Sequence, residues 1–245
     1  MTHIFANWKM YLDVVESRVL GETLVDTWKT HDNINCVVFP TPLAAVDVTE
    51  ICEGTPVSVG AQNVAWVPRG AYTGASSAML YKNIGCTYAL VGHSERRYIF
   101  GERNIDVRKK TEACLEQNII PVICIGESQK DRDNGKEEYR IKKQIMRVFD
   151  GLNIGDSKIF VAYEPVWAVG TGIPCDPDEA EKMHIYIKEQ IAEFTDVQVP
   201  ILYGGSVNAD NVTGYASSSH IDGMLVGSAS VKIEEFSRII EAVAS

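Results

Sequence analysis

The stretch Ile4-Phe5-Ala6-Asn7-Trp8-Lys9-Met10 decides between the two architectures that the rest of the chain allows. It is a short apolar run that ends in polar groups, with no glycine before Gly21. Beyond it, short apolar runs alternate with amphipathic segments to the C-terminus. The strand candidates are Ile4–Asn7, Cys36–Phe39, Val57–Ala61, Tyr88–Val91, Ile119–Ile125, Lys158–Tyr163, Pro200–Tyr203 and Gly223–Val226. Each is rich in β-branched residues without polar alternation, which suits a parallel sheet covered on its outer face. Helical spacing links Leu20, Leu24 and Trp28; Val107, Thr111, Cys114 and Leu115; Ile141, Ile145, Val148 and Phe149; Met183, Ile187, Ile191 and Phe194; and Ile233, Phe236, Ile239 and Ile240. The segments after the second, third and seventh strands are weaker as helices. Eight strand-plus-helix units of about 31 residues account for the length. Strict alternation means a parallel sheet, either open and doubly wound or closed. An open sheet carries a Gly-rich phosphate loop directly after its first strand, where this chain has Asn7-Trp8-Lys9-Met10. The sequence therefore predicts a closed, eight-stranded parallel (β/α)8 barrel. No Pro/Gly/Ser-rich linker divides it, so residues 1–245 are expected to form one domain.

A formal net charge of −10 argues against a nucleic-acid-binding surface and against an anionic membrane. It leaves room for a small anionic substrate, because local backbone N–H groups and one lysine can outweigh a distant field. The six cysteines (Cys36, Cys52, Cys86, Cys114, Cys124 and Cys175) show neither a CxxC pair nor clustering with histidine. They read as buried thiols in a reducing compartment, with no metal site. The N-terminus has no basic region followed by an apolar segment, and no apolar run approaches the ~20 residues of a membrane helix. A cytoplasmic protein is expected.

In a parallel barrel all C-terminal strand ends open on one face, so polar groups there converge although remote in sequence. Those ends carry Asn7 and Lys9; Gln62 and Asn63; His93-Ser94-Glu95-Arg96-Arg97; Gly126-Glu127; Glu164; Tyr203-Gly204-Gly205-Ser206; and Gly227-Ser228. Glu164 follows a buried strand and precedes Pro165-Val166-Trp167-Ala168-Val169-Gly170-Thr171-Gly172, an apolar tip closed by glycines. A lone glutamate is ordinarily a solvated turn residue; here it reads as a base beneath a mobile lid. Closure would strip water from the carboxylate and make it a stronger base. His93 opens a short helical turn, where positive partial charge disfavours imidazolium and leaves a neutral ring to donate to a substrate oxygen. His3, His31, His184 and His220 lack such a context and read as surface or structural. Lys9 is placed to hold negative charge that develops on substrate, with Glu95 orienting it. Gly204-Gly205-Ser206-Val207 leads into Asn208–Asn211, a helix start, and Gly227-Ser228 precedes the last helix. Glycine turns ahead of helices after the seventh and eighth strands form the recurring barrel phosphate site.

Five separated blocks, in order along the whole chain, resemble the triosephosphate isomerase family. They are Asn7-Trp8-Lys9-Met10, Gly60-Ala61-Gln62-Asn63, Gly92-His93-Ser94-Glu95-Arg96-Arg97, Tyr163 through Gly172, and Tyr203-Gly204-Gly205-Ser206-Val207. The resemblance implies a TIM barrel that interconverts dihydroxyacetone phosphate and glyceraldehyde 3-phosphate in glycolysis and gluconeogenesis. Glu164 would shuttle the proton through an enediolate, neutral His93 would polarise and reprotonate the oxygens, Lys9 would stabilise the enediolate oxygen and Asn7 would help to position it. Ser94 and Glu95 would stand behind these groups. Backbone N–H groups of Gly170, Ser206, Gly227 and Ser228 would cradle the phosphate. The lid from Pro165 to Cys175 would be held shut by Tyr203 and Ser206, with Glu127 supporting Trp167. No metal or organic cofactor is implied. The family is typically dimeric, which assigns Val64 through Ser77 to a protruding loop whose Thr73 reaches the neighbouring subunit's site.

Two other readings remain open at this point: a barrel that binds a phosphorylated sugar without turning it over, and another barrel enzyme acting on a sugar phosphate. The first would be marked by loss of Glu164, His93 or Lys9, and the second, if an aldolase, by a lysine inside a strand. Three departures from the family pattern stand out. Ser228 replaces a usual glycine and requires a backbone torsion that suits a Cβ. Ala75 replaces a common glutamate in the protruding loop. The lid's C-terminal hinge, often Lys-Thr-Ala, reads Ile173-Pro174-Cys175. Proline fixes one backbone torsion in that hinge, so Pro174→Thr is expected to change the rate of lid opening while isomerase activity persists. Relaxation measurements on Trp167 fluorescence check this, and unchanged opening rates would refute it.

Overall fold

The computed structural model describes residues 2–28, 33–170 and 172–244; His31 and Thr171 lie outside them. The strands β1 (Thr2–Asn7), β2 (Ile34–Phe39), β3 (Val57–Ala61), β4 (Tyr88–Val91), β5 (Ile120–Ile125), β6 (Phe160–Tyr163), β7 (Ile201–Tyr203) and β8 (Gly223–Val226) close into a parallel barrel in chain order. β1 pairs with both β2 and β8, so no edge is left open. Helices α1 (Val14–Trp28), α2 (Ala45–Cys52), α3 (Ala78–Asn83), α4 (Ser94–Tyr98), α5 (Asn104–Glu116), α6 (Gln129–Asp133), α7 (Glu137–Phe149), α8 (Pro177–Ala192), α9 (Val212–Ala216) and α10 (Ile233–Ala244) connect them. The three connections expected to be poor helices contain the short α2, α3 and α9.

All eight expected strands are present, and their C-terminal residues are those expected in every case. The differences lie at the N-terminal ends, where polarity changes less sharply. β6 begins at Phe160 rather than Lys158 because pairing with β5 starts there, Val122 opposite Phe160. One helix start is corrected: Asn208–Asn211 is a turn in which Asn208 Oδ1 accepts the N–H groups of Asp210 and Asn211, and α9 begins only at Val212.

Alternation along the strands separates two cores. Every second residue (Phe5; Val37 and Phe39; Tyr88 and Leu90; Val122 and Cys124; Phe160 and Ala162; Leu202; Leu225) joins one cluster inside the barrel. Phe5 packs against Phe160 at 5.1 Å and against Tyr88 at 5.3 Å between ring centroids, so aromatic rings fill the interior. The intervening residues, such as Ile4, Val38, Val91, Ile123, Val161 and Met224, join the helices in a second, larger core. The six cysteines are free and buried among these layers. Burial pushes the Cys114 thiol up to about 12, leaving it unreactive at neutral pH. No helix among the described residues is long and apolar enough to cross a membrane.

His184, on the inner face of α8, lies fully buried with its ring edge-on to Tyr163 at 5.9 Å. Burial, with the charge of Lys188 added, lowers its pKa to about 3. The folded protein therefore holds it neutral while the unfolded chain protonates it below about pH 6.5. More protons bind to the unfolded state in that window, so stability falls as pH drops from about 6.5 toward 3. Urea unfolding at a series of pH values is expected to show wild type losing up to ~1.4 kcal/mol per pH unit more than His184→Gln in this range. Parallel curves would exclude the effect.

Candidate active site

The strand ladder carries the site residues one step past the barrel rim. Trp8 N–H donates to Phe39 O at 3.1 Å, Glu164 N–H to Ile125 O at 2.7 Å, and Gly204 N–H to Tyr163 O at 2.8 Å. Because Phe5, Phe160 and Ala162 face inward, Asn7 and Glu164 fall on inward positions at the mouth. Glu164 is 2% exposed. The close approach of the next strand end demands glycine at 126, where a Cβ would lie 1.7 Å from Glu164 O.

Lys9 takes a left-handed conformation, φ 48°, which costs a non-glycine residue about 1–2 kcal/mol. Three ties hold it there. Its N–H donates to Asn7 Oδ1 at 3.0 Å, its carbonyl accepts from Gln62 Nε2 at 2.6 Å, and its ammonium donates to Glu95 Oε1 at 2.7 Å. Gln62 Nε2 also reaches Phe39 O at 2.9 Å, fastening the β1 end to β2 and β3.

His93 is the N-cap of α4, and its Nδ1 accepts the N–H of Glu95 at 3.3 Å. An acceptor Nδ1 carries no proton, so the neutral ring bears its proton on Nε2. Nε2 lies 3.1 Å from Glu164 Oε1 and 3.3 Å from Asn7 Nδ2. Glu164 Oε2 accepts the Ser94 N–H at 2.7 Å. The turn therefore supplies both a donor for the carboxylate and a neutral ring beside it. Arg97, at the far end of α4, props this turn from below through Gly92 O at 2.6 Å, Cys124 O at 2.9 Å and Asn104 Oδ1 at 2.7 Å. Gly92, at φ +72°, leaves room for that guanidinium: a Cβ there would sit 2.8 Å from it.

The lid is pinned at both ends. Glu127, fully buried, accepts Trp167 Nε1 at 2.8 Å, Tyr163 OH at 3.1 Å and Arg132 Nε at 2.8 Å on one oxygen. Arg132 lies over the Trp167 ring at 4.7 Å and also pairs with Glu179. At the other end Tyr203 OH accepts the Cys175 N–H at 3.1 Å. Between them, Ser206 Oγ donates to Ala168 O at 2.7 Å. Gly170 lies in the lid at φ 70°, and Gly227 and Ser228 begin the 3-10 turn after β8. Ser228 has no positive φ, so its Cβ is accommodated.

Asn7, Lys9, His93, Glu95 and Glu164 are thus joined in one chain of contacts at the mouth. Glu127, Tyr203 and Ser206 engage the lid. Gln62 and Arg97 stand in the strand-end stretches read from the sequence without a role given to either, and Arg132 carries no sequence signal that could have found it. A cavity of about 790 Å³ opens beside the site, lined by Asn7, Lys9, His93 and Glu95 and, across from them, by Trp66 and Tyr72.

Comparison with known proteins agrees with this geometry. The family model described as triosephosphate isomerase matches residues 2–243. A triosephosphate isomerase of Roseiflexus sp. (strain RS-1) is 40% identical over 239 residues, covering 96% of this chain and 94% of its own length. Those of Aquifex aeolicus and Dictyoglomus thermophilum are 38% and 37% identical, with at least 97% of both chains covered. With a barrel closed in the expected order, and a family match from the first described strand to the last helix, the chain belongs to the triosephosphate isomerase family.

Proposed function

We propose that this chain interconverts dihydroxyacetone phosphate and D-glyceraldehyde 3-phosphate, with Glu164 as the base. The observation that carries the reading is the buried Glu164 carboxylate, whose Oε1 lies 3.1 Å from Nε2 of a neutral His93, at one barrel mouth with Lys9. Glu164 takes a proton from C1 of the ketone, and the C–H electron pair becomes the C1=C2 bond of an enediolate. The His93 Nε2–H donates to the substrate oxygens, and the Lys9 ammonium stabilises the negative charge that collects there. Asn7 holds the Lys9 turn through its Oδ1, and its Nδ2, 3.3 Å from His93 Nε2, stands beside that nitrogen as a second donor toward substrate. Glu164 then returns the proton to C2, while His93 moves the hydroxyl proton between the two oxygens. To reach substrate the carboxylate must leave the Ser94 N–H, so Ser94 acts as its resting partner. N–H groups of Gly170, Ser206, Gly227 and Ser228 hold the phosphate, and the lid keeps water out.

A second chain completes the site. The loop Val64–Ser77 projects from the barrel, tied at its base by Ala65 N–H to Ser76 O at 2.8 Å and by Ser77 Oγ to Pro68 O at 2.8 Å. Its Tyr72 is 52% exposed, and the exposed Ile99 and Phe100 line the same cavity. Apolar surface on this scale favours a partner. In a homodimer the loop of one chain enters the cavity of the other, bringing Thr73 toward Asn7, Lys9 and Glu95.

A coupled assay with D-glyceraldehyde 3-phosphate tests the chemistry. Native protein is expected to be active, and Glu164→Asp, which withdraws the carboxylate by one methylene, to lose about 10²-fold in kcat with little change in KM. An inactive native protein that still binds the substrate would favour a non-catalytic barrel. Sedimentation velocity tests the assembly: wild type is expected as a dimer and Thr73→Arg as a monomer with kcat at least about tenfold lower. A dimer of full activity in that variant would place the contact elsewhere.

A further inference from the structure

The lid's C-terminal hinge holds a contact that the catalytic reading leaves unused. Cys175 is 1% exposed, and both of its peptide groups are taken by tyrosine hydroxyls. Its N–H donates to Tyr203 OH at 3.1 Å, and its carbonyl accepts from Tyr215 OH at 2.5 Å. The two rings are stacked, 4.1 Å between centroids and 20° between planes, with their hydroxyls 3.4 Å apart. Tyr215 has one proton, and the nearer Cys175 carbonyl takes it, so the Tyr203 hydroxyl donates to Tyr215. Burial and this donated bond together raise the Tyr203 pKa far above the ordinary phenol value. The result is a closed ring of three hydrogen bonds around one buried hinge residue.

The surroundings make that hinge stiff. Pro174 fixes the torsion before Cys175, and Pro177 begins α8, whose N-cap Asp176 accepts the N–H groups of Asp178 and Glu179. Tyr215 comes from α9, which packs on the start of α8: a Cβ on Gly214 would come within 3.1 Å of the Pro177 ring. The hinge carbonyl is thereby tied to α9, whose N-cap Asn211 also donates to Ser206 O at 3.0 Å.

We propose that Tyr215 is a positioning residue for the closed lid, acting through Cys175 and Tyr203 to keep the lid shut while the enediolate exists. This rests on the isomerase reading above. The intermediate has a competing fate. With negative charge on the C1 oxygen, the C1 carbonyl can re-form, the C1=C2 pair shifts to C2=C3, and the C3–O bond breaks with its electron pair leaving on phosphate. The enol left behind becomes methylglyoxal. A closed lid suppresses this by holding the phosphate bridge out of the plane that elimination requires. The fraction of turnovers that end in methylglyoxal and inorganic phosphate therefore reports lid retention, and a merely structural role for Tyr215 would not move it.

Tyr215→Phe keeps the ring stack and deletes one hydroxyl. Its expected effect is a rise of about threefold to tenfold in the elimination fraction, the loss of one hydrogen bond. The isomerisation kcat should fall by less than that, and Trp167 fluorescence relaxation should show faster opening. Because Tyr203 acts on the same residue, Tyr203→Phe and Tyr215→Phe combined should raise elimination by less than the product of their separate effects. A folded, active Tyr215→Phe with the wild-type elimination fraction would overturn the proposal. An additive double variant would overturn it as well. Inactive wild-type protein would instead sink the isomerase reading itself. If Tyr215→Phe fails to fold, Tyr215→Trp, which keeps an aromatic face without a hydroxyl in that place, is read by the same two products.

Discussion

The alternation of a closed parallel barrel is the constraint on which the site depends. With Phe5, Phe160, Leu202 and Leu225 turned inward, the next positions of the same parity at the rim are Asn7, Glu164, Gly204 and Gly227. Two are functional polar groups and two are glycines that leave space above the aromatic interior. A slip of β6 by one residue would send Glu164 toward the helices and turn Tyr163 into the barrel. That slip is opposed from both faces. Inside, Phe160 is wedged against Phe5 and Tyr88; outside, Tyr163 is bonded to Glu127 and meets the His184 ring. The placement of Glu164 is thus secured by packing one and four residues away from the carboxylate itself.

This also explains which parts were legible in the sequence. At the C-terminal strand ends an apolar run gives way within one residue to Asn, Gln, Gly or Glu, so the boundary and the site residues announce themselves together. The N-terminal ends have no such change, and pairing alone sets them, as at Phe160. The supporting residues were hidden for a different reason. Arg132 sits in the short α6 between charged neighbours and resembles any solvated arginine until the fold brings it over Trp167. Tyr215 has the spacing of an ordinary apolar helix residue, and only its hydroxyl, buried against Cys175, sets it apart. Ser228 posed a question that composition could not answer, since the backbone torsion that admits a Cβ is a property of the 3-10 turn it begins.

The two buried carboxylates near β6 are treated in opposite ways. Glu127 receives a tyrosine, an indole and a guanidinium on one oxygen, which fixes it and makes it a structural post for the lid although its other oxygen has no partner. Glu164 receives one backbone N–H and faces a neutral ring, and its Oε1 has no well-aligned donor. Leaving a buried carboxylate oxygen underbonded costs stability. The barrel tolerates that cost because the ladder bond from Glu164 N–H to Ile125 O fixes the backbone whatever the side chain does. A carboxylate with few commitments can move and take a proton; one with three cannot. The partition between them is a division between reactivity and scaffolding on neighbouring strand ends.

The lid extends the same division. Its N-terminal side is bonded to the β5 end, through Val166 N–H to Glu127 O at 3.0 Å and through Trp167. Its C-terminal side is bonded to the β7 end and to α9 through Cys175. Between these two anchors on different strands, the Ser206 bond to Ala168 O adds a third tie to the lid. Each anchor ends on a residue fixed by burial, Glu127 on one side and Tyr203 on the other, which keeps strain in the lid out of the barrel. A lid built this way leaves the Glu164 backbone held on Ile125 O, so the step that readies the carboxylate is the departure of its side chain from the Ser94 N–H.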